Sequence, residues 1–179
     1  MRGTLLIFSG PSGVGKGTVV KELRRRSDRI RLSVSATTRK PRPEDVEGVT
    51  YYFKTMEEFE AMIGRDEFLE HAVYSGNRYG TPAGPVDELL DAGCDVVLEI
   101  EVQGALQVME RRLKGRGDTS GADLEHRLQT ARIEYTLAPK YDYIVVNDRV
   151  ERCADEVMAI LTADKCRAKY RLDLLKEDD

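Results

Sequence analysis

Residues 5–18 read LLIFSGPSGVGKGT. The stretch joins a short apolar run to a glycine-rich loop that fits the pattern G-x-x-x-x-G-K between Gly10 and Lys16. Glycines at these positions let the backbone curl so that successive N–H groups face phosphate oxygens, and the lysine adds a positive charge. Apolar residues then recur at helical spacing over 19–23. Strand, loop and helix in this order predict a site for a nucleotide polyphosphate.

One position departs from the usual pattern of such loops. Gly17 follows the lysine, where a serine or threonine normally offers its hydroxyl to Mg²⁺, and Thr18 comes one place later. We therefore expect Mg²⁺ to be held mainly by nucleotide phosphates and water. The loop alone fits GTPases, ATPases, kinases and transporters, but the absence of an N-K-x-D motif argues against a GTPase.

The composition excludes several classes of protein. The chain has 179 residues, 41% hydrophobic and 34% charged, which predicts one globular domain rather than a disordered or membrane protein. A net charge of −4 argues against a uniformly basic surface for nucleic acid. The three cysteines have no C-x-x-C spacing, so neither a disulfide framework nor a zinc site is predicted. The apolar run at 5–8 is too short for a signal peptide, and we expect a cytoplasmic protein without membrane contact.

The order of apolar segments predicts an α/β fold with a parallel sheet flanked by helices. Core strands are predicted at 4–9, 95–100 and 143–147, further extended segments at 31–35 and 68–78, and helices from 17, from 56, at 82–92, 105–113 and 123–137, and from 150. Thr55 and Glu58 form a capping-box pattern for the second of these helices, with Met56 and Phe59 on its apolar side.

A second candidate site lies in the polar, proline-containing stretch 37–48. Arg39 and Arg42 stand three residues apart, and the proline between them stiffens the loop. Planar guanidinium groups bind a compact phosphate dianion through paired hydrogen bonds, and the hydroxyls of Tyr51 and Tyr79 can complete its coordination. This pattern predicts a site for the phosphate of a nucleoside monophosphate.

Several motifs in order carry a family resemblance. They are Ser9–Lys16, Ser33–Arg42, Glu47–Phe53, Glu67–Glu70, Ser75–Thr81, Glu99–Gly104, and Arg112–Leu113 with Arg116–Gly117. In these motifs the sequence resembles the guanylate kinases over most of its length. The resemblance implies a single domain over 1–179 with a P-loop NTPase-type core (1–32, 82–108 and 139–179), an inserted GMP-binding subdomain (33–81) and a mobile lid (109–138).

The resemblance also implies roles for individual residues. The ATP-binding set is Gly10, Pro11, Ser12, Gly13, Val14, Gly15, Lys16, Gly17, Thr18 and Asn147. The GMP-binding set is Ser35, Arg39, Arg42, Tyr51, Glu70, Tyr79, Thr81 and Glu99. The catalytic set is Lys16, Arg112, Arg116 and Arg127, while Glu99 and Glu101 are expected near Mg²⁺ bound with ATP. Glu70 is expected to prefer guanine because its carboxylate accepts from both N1–H and N2–H₂, a donor pair that adenine lacks.

The sequence departs from the family between Gly104 and Arg112. The guanylate kinases carry about twenty more residues there, including a core strand, and the loss of that strand should leave backbone groups unpaired or force a neighbour to substitute. Three hypotheses follow from the sequence: a kinase that transfers the γ-phosphoryl of ATP to GMP, a guanylate-kinase-like module that binds phosphoproteins without catalysis, and a P-loop kinase for another acceptor.

Overall fold

The computed structural model describes residues 1–10, 14–100, 136 and 138–172. Its strands are β1 (Leu5–Phe8), β2 (Ile30–Leu32), β3 (Ala36–Thr37), β4 (Tyr52–Phe53), β5 (Phe68–Tyr74), β6 (Asn77–Pro82) and β7 (Asp95–Glu99). Its α-helices are α1 (Lys16–Arg26), α2 (Met56–Gly64), α3 (Ala83–Asp91) and α4 (Val150–Lys165). Short 3₁₀ turns occur at Ala138–Lys140 and Ala168–Tyr170. No helix in these ranges is long and apolar enough to cross a membrane.

The first sheet has the order β1-β7-β2, and both of its pairings are parallel. Apolar side chains alternate between its two faces: Val97 packs with α1 and α4, whereas Val96 and Leu98 pack with α3. A parallel strand covered on both faces reads as a continuous apolar run, which is the sequence of β7. The predicted parallel α/β core is therefore confirmed.

The second sheet has the order β4-β3-β6-β5 and lies within residues 36–82. Strands β5 and β6 form a hairpin that reverses at Ser75 and Gly76, inside the extended segment predicted at 68–78, with a register irregularity between Phe68 and Glu70. Helix α2 begins with the predicted capping box, in which both reciprocal hydrogen bonds of Thr55 and Glu58 are present. Its Phe59 stacks on Phe68 with ring centroids 4.4 Å apart, and this pair forms the centre of the core under the sheet. The proposed limits of core, subdomain and lid stay predictions.

Two predictions about local structure are wrong. Met56 is exposed rather than buried. It is the first residue of α2, and the buried residue of this helix, Phe59, comes one turn later. Residues 143–147 are not a strand: they have no regular structure, and the Ile144 side chain is 72% exposed. Among the described strands, β1 pairs with β7 alone, so its other edge has no described partner strand and residues 143–147 do not supply one. A cavity of about 650 Å³ lies beside β1, lined in part by residues of α3 and α4 and by Tyr143.

The predicted helices 105–113 and 123–137 lie outside the described residues, apart from Thr136.

Candidate active site

Two described glycines of the loop between β1 and α1 have backbone conformations that suit a phosphate-binding turn. Gly10 and Gly15 adopt φ angles of +154° and +87°, and Gly15 is the N-cap of α1. The helix has no side-chain cap and no acidic residue in its first turn. The positive end of the helix dipole is thus not neutralised within the first turn and favours an anion placed against the loop.

The Lys16 ammonium group donates a hydrogen bond to the carbonyl of Gly10. Lys16 is the first residue of α1, so this contact folds its side chain back along the loop to Gly10. The lysine charge therefore lies over the same segment whose glycines form the cradle. Pro11, Ser12 and Gly13 lie outside the described residues, so their predicted contacts with ATP stay predictions.

Asn147 contacts the loop from the other end of the chain. Its Nδ2 donates to the carbonyl of Val14 at 2.8 Å. A Cβ on Gly15 would lie 2.6 Å from the same nitrogen, which is closer than a non-bonded Cβ can approach without a shift of the neighbour. Glycine is thus favoured at position 15 by its left-handed backbone, and a larger residue would also displace the Asn147 side chain. The structure brings Asn147 to the predicted ATP-binding loop and shows that it braces the loop backbone.

Glu99 lies at the carboxyl end of β7, beside Phe8 of β1. Its carboxylate oxygens are 3.6 and 3.8 Å from the position that a Cβ on Gly17 would take. The carboxylate therefore stands next to the first turn of α1, at the end of the sheet where ligands of open α/β folds bind. It is well placed for a water of a hydrated Mg²⁺, whereas the described residues contain no group of three or more potential metal ligands.

At the second predicted site, a group of side chains lies together that we call the arginine–tyrosine cluster. Its members are Arg39, Asp45, Tyr51, Phe53 and Tyr79. The guanidinium carbon of Arg39 lies 5.3 Å from the centroid of the Tyr51 ring and 5.8 Å from that of Phe53. Tyr51 and Tyr79 meet edge to face with centroids 6.0 Å apart. The structure thus brings three of the predicted acceptor residues together, two from the loop between β3 and β4 and one from β6.

Arg39 is further fixed by Asp45, whose carboxylate accepts from Nη1 at 2.9 Å and from the backbone N–H of Arg42 at 2.7 Å. The Arg39 guanidinium and the Arg42 amide together hold the pKa of Asp45 below its usual value. The Arg42 side chain itself is exposed. Ser35 contributes its backbone carbonyl to Tyr52 N–H at 2.9 Å, and the structure places no partner of the acceptor set on its hydroxyl within the described residues.

Glu70 and Thr81 form a buried pair on the β5–β6 hairpin. Thr81 Oγ1 donates to Glu70 Oε1 at 2.7 Å. Thr81 is 0% exposed and Glu70 is 7% exposed. Burial raises the pKa of the Glu70 carboxyl, and the hydrogen bonds from Thr81 oppose that shift. An ionised carboxylate accepts up to about four hydrogen bonds, so beside its contacts with Thr81 it has the chemistry to accept from a pair of donors on a ligand.

Several predicted residues lie outside the described part of the chain. They are Glu101, Arg112, Arg116 and Arg127, together with most of the predicted lid at 109–138. Conversely, sequence reasoning missed Asp45 and Phe53 as members of the arginine–tyrosine cluster. Asp45 lies three residues after Arg42 and reaches back to its backbone amide, a contact that no pattern in the sequence indicates.

A glycine-rich loop at the head of a parallel sheet, with a lysine folded over it and a strand-end carboxylate beside it, defines a P-loop nucleotide-binding protein. A family model described as guanylate kinase matches residues 2–109. The guanylate kinases of Desulfitobacterium hafniense and Lactococcus lactis are 45% and 47% identical over 188 and 195 residues, covering 94% and 98% of this chain and 94% and 93% of theirs. The chain belongs to the guanylate kinase family.

A solved structure agrees with this assignment. The crystal structure of guanylate kinase from Anaplasma phagocytophilum superposes with a TM-score of 0.70, at 33% identity, over 93% of this chain and 88% of that chain. The alignment with the Desulfitobacterium protein runs over 188 residues, yet it covers 94% of a chain of 179. About twenty aligned positions of that relative therefore face no residue here. The family model ends at residue 109, inside the interval where the sequence predicts a deletion.

Proposed function

We propose that the chain transfers the γ-phosphoryl group of ATP to GMP, forming ADP and GDP, in the purine nucleotide metabolism of the cytoplasm. The proposal is supported by two separate arrangements: a glycine-rich loop with a lysine on the first sheet, and arginine and tyrosine side chains with a buried carboxylate on the second. A hydrolase needs only the first of these sites. A kinase for a nucleoside monophosphate needs both.

On the donor side, the amides of the loop and of the first turn of α1 bind the ATP phosphates, with Lys16 supplying a fixed charge. The preorganised N–H groups and the helix dipole stabilise the polyphosphate without rearranging during the reaction. Mg²⁺ fits this site as a hydrated ion held by phosphates, because Gly17 offers no hydroxyl and the single carboxylate of Glu99 lies beside the loop. When bound, the metal neutralises charge on the phosphates.

On the acceptor side, Arg39, Arg42, Tyr51 and Tyr79 bind the phosphate of GMP. Arg39 is already held against the ring of Tyr51, so little of its side-chain freedom remains to be lost on binding. The guanine base lies against Glu70, with Thr81 and Ser35 completing its polar contacts. Because the Glu70 carboxylate is buried, a base that fails to donate to it leaves a charge without a partner, and that cost discriminates against adenine.

Three further arginines belong to the proposal on the strength of the sequence alone. Arg112, Arg116 and Arg127 place positive charge on the transferring phosphoryl group, whose negative charge spreads over its equatorial oxygens during transfer. Arginines in this role contribute about 10³- to 10⁵-fold to the rate of related enzymes. The reaction needs neither a covalent enzyme intermediate nor a histidine base.

A coupled assay for ADP release tests the proposal. The chain is given ATP with GMP, AMP, CMP or UMP, and turnover is expected with GMP well above the other three. Lys16→Ala is expected to abolish that turnover, and Lys21→Ala, an exposed lysine later on α1, serves as the matched control. Absence of turnover with every acceptor, together with retained GMP binding, would overturn the proposal in favour of a binding module. Turnover with a different acceptor would overturn the assignment of GMP.

A further inference from the structure

Asp45 is the least exposed carboxylate in the loop between β3 and β4, and nothing in its sequence context marks it as part of a site. Its side chain is 7% exposed although the residues on either side of it are exposed. A single oxygen, Oδ2, meets both Arg39 Nη1 at 2.9 Å and the Arg42 backbone N–H at 2.7 Å. One carboxylate thus links the Arg39 side chain of the arginine–tyrosine cluster to the backbone of Arg42.

The link fixes which edge of the Arg39 guanidinium is available. Nη1 is also a donor to the carbonyl of Lys40 at 2.9 Å, so both hydrogen-bond contacts recorded for this side chain use the same nitrogen. The aromatic rings of Tyr51 and Phe53 lie within 6 Å of the guanidinium carbon. Within the described residues, this leaves the edge formed by Nε and Nη2, which is a bidentate donor pair for a phosphate.

A carboxylate near a phosphate site also has a cost, because it repels the incoming dianion. That repulsion is offset in part because the Asp45 charge is already paired with the Arg39 guanidinium at 2.9 Å. An unrestrained arginine, by contrast, loses its rotamer freedom in full when it binds. Restraint of one such side chain before binding is worth roughly 2- to 10-fold in affinity. Asp45 restrains both the Arg39 side chain and the backbone that carries Arg42, so the gain from order exceeds the loss from charge.

We propose that Asp45 is a positioning residue of the acceptor site, which orients the Arg39 guanidinium and the Arg42 loop to receive the phosphate of a nucleoside monophosphate. The inference deepens the proposed function and rests on it for the identity of the ligand. It does not require that Asp45 touch the substrate.

The test compares Asp45→Asn with Glu44→Gln, which removes a charge from the neighbouring exposed position. For Asp45→Asn we expect the KM for GMP to rise about tenfold, with kcat and the KM for ATP within about twofold of the original chain. Glu44→Gln is expected to leave all three values unchanged. An unchanged KM for GMP, or an equal rise in both KM values, would overturn the proposal, because a general loss of structure affects both substrates.

A double-mutant cycle then shows whether Asp45 acts through Arg39. In an Arg39→Ala background, Asp45→Asn is expected to add less than twofold to the KM for GMP, since the group it positions is gone. A full tenfold effect in that background would overturn the assigned route. Calorimetric titration with GMP gives the same comparison as dissociation constants. If the unaltered chain binds GMP but does not turn it over, the proposed function fails while the positioning role is still decided by titration. If it does not bind GMP, both fail.

Discussion

Replacement of Glu70 by glutamine should weaken the preference for guanine and stabilise the fold at the same time. In the original chain, Thr81 Oγ1 donates to Glu70 Oε1 at 2.7 Å. Glutamine has nearly the same shape as glutamate and keeps an Oε1 that can accept this hydrogen bond. At the other position it replaces a carboxylate oxygen by an NH₂ group, which is a donor only. The guanine edge also presents donors, so Glu70→Gln sets donor against donor where the carboxylate accepted.

The size of the functional effect follows from the hydrogen bonds that are lost. A hydrogen bond to a charged group contributes about 1.5–3 kcal/mol. Since about 1.4 kcal/mol corresponds to a factor of ten, we expect kcat/KM for GMP to fall roughly ten- to hundredfold. The value for AMP should change much less, because adenine offers no matching donor pair to either side chain.

The effect on stability has the opposite sign. Burial raises the pKa of Glu70 in the folded chain above its ordinary value of 4.5, so the folded state holds this proton more tightly than the unfolded state. The stability that comes from the protonated carboxyl is therefore complete below the unfolded pKa and is lost as the pH rises through the folded pKa. Glutamine has no proton to lose. Glu70→Gln should melt at a higher temperature than the original chain at neutral pH, and the difference should shrink as the pH approaches 4.5.

The two effects are measured together. Initial rates with GMP and AMP give the ratio of kcat/KM values, and thermal unfolding at pH 7.5 and pH 5 gives the stability difference. Glu57→Gln, at an exposed position on α2, is the control and should change neither quantity. An unchanged GMP-to-AMP ratio would place base recognition elsewhere. A lower melting temperature at pH 7.5 would show that the buried carboxylate is stabilised by contacts that outweigh its desolvation.

Three further substitutions probe the two sites and the core that supports one of them. Arg42→Ala should raise the KM for GMP about tenfold but leave the KM for ATP and the melting temperature nearly unchanged, since the side chain is exposed; equal rises in both KM values would contradict its role. Gly15→Ala should raise the KM for ATP, because φ is +87° at this residue and the new methyl group would lie 2.6 Å from Asn147 Nδ2. An unaltered ATP titration would show that the loop adapts to the methyl group. Phe59→Ala should cost about 3–5 kcal/mol in urea unfolding, since this fully buried ring stacks on Phe68; a loss under about 1 kcal/mol would mean that the second sheet does not depend on the pair.

The phosphate loop could be predicted from sequence because its determinants are local. Glycines, a lysine and the flanking periodicities all fall within residues 5–23, and the structure confirms the strand before the loop and the helix after it. The parallel core followed from the same kind of evidence, since β7 is a continuous apolar run of a length that suits a strand. Patterns that are complete within one segment are the ones that sequence reading recovers.

The arginine–tyrosine cluster could be predicted only in part. Arg39, Tyr51 and Tyr79 were expected from their chemistry and from a family resemblance, but the order in which they pack depends on pairing between β3, β4 and β6. That pairing brings Tyr51 and Phe53 to the face of Arg39, and the loop between β3 and β4 folds Asp45 back on to its guanidinium. An aspartate in a polar loop carries no sign of such a contact, because its partner is fixed by tertiary structure.

The segment 143–147 illustrates the converse error. Its apolar, β-branched composition satisfies every local criterion for a core strand, yet Ile144 and Val146 are exposed and the segment pairs with no strand in the described part of the chain. A strand forms only when a second segment pairs with it, and the hydropathy of one segment does not show whether that partner is present. Among the described residues, β1 is paired on one side alone. The sequence departs from the family between Gly104 and Arg112, where a core strand is expected, and this departure already indicates that a neighbouring strand could lack its partner.

The missing positions bear differently on binding and on transfer. The described contacts of the phosphate loop and of the arginine–tyrosine cluster come from residues before 101, with Asn147 as the one added group, and the family model matches that region. The interval with about twenty fewer positions than the Desulfitobacterium relative follows it and precedes the three predicted lid arginines. Binding energy for two nucleotides can therefore be supplied by parts of the chain that keep the family pattern. Alignment of the arginines with the transferring phosphoryl group depends on the part that does not, so the proposed chemistry makes kcat more sensitive to the shortened interval than either KM value.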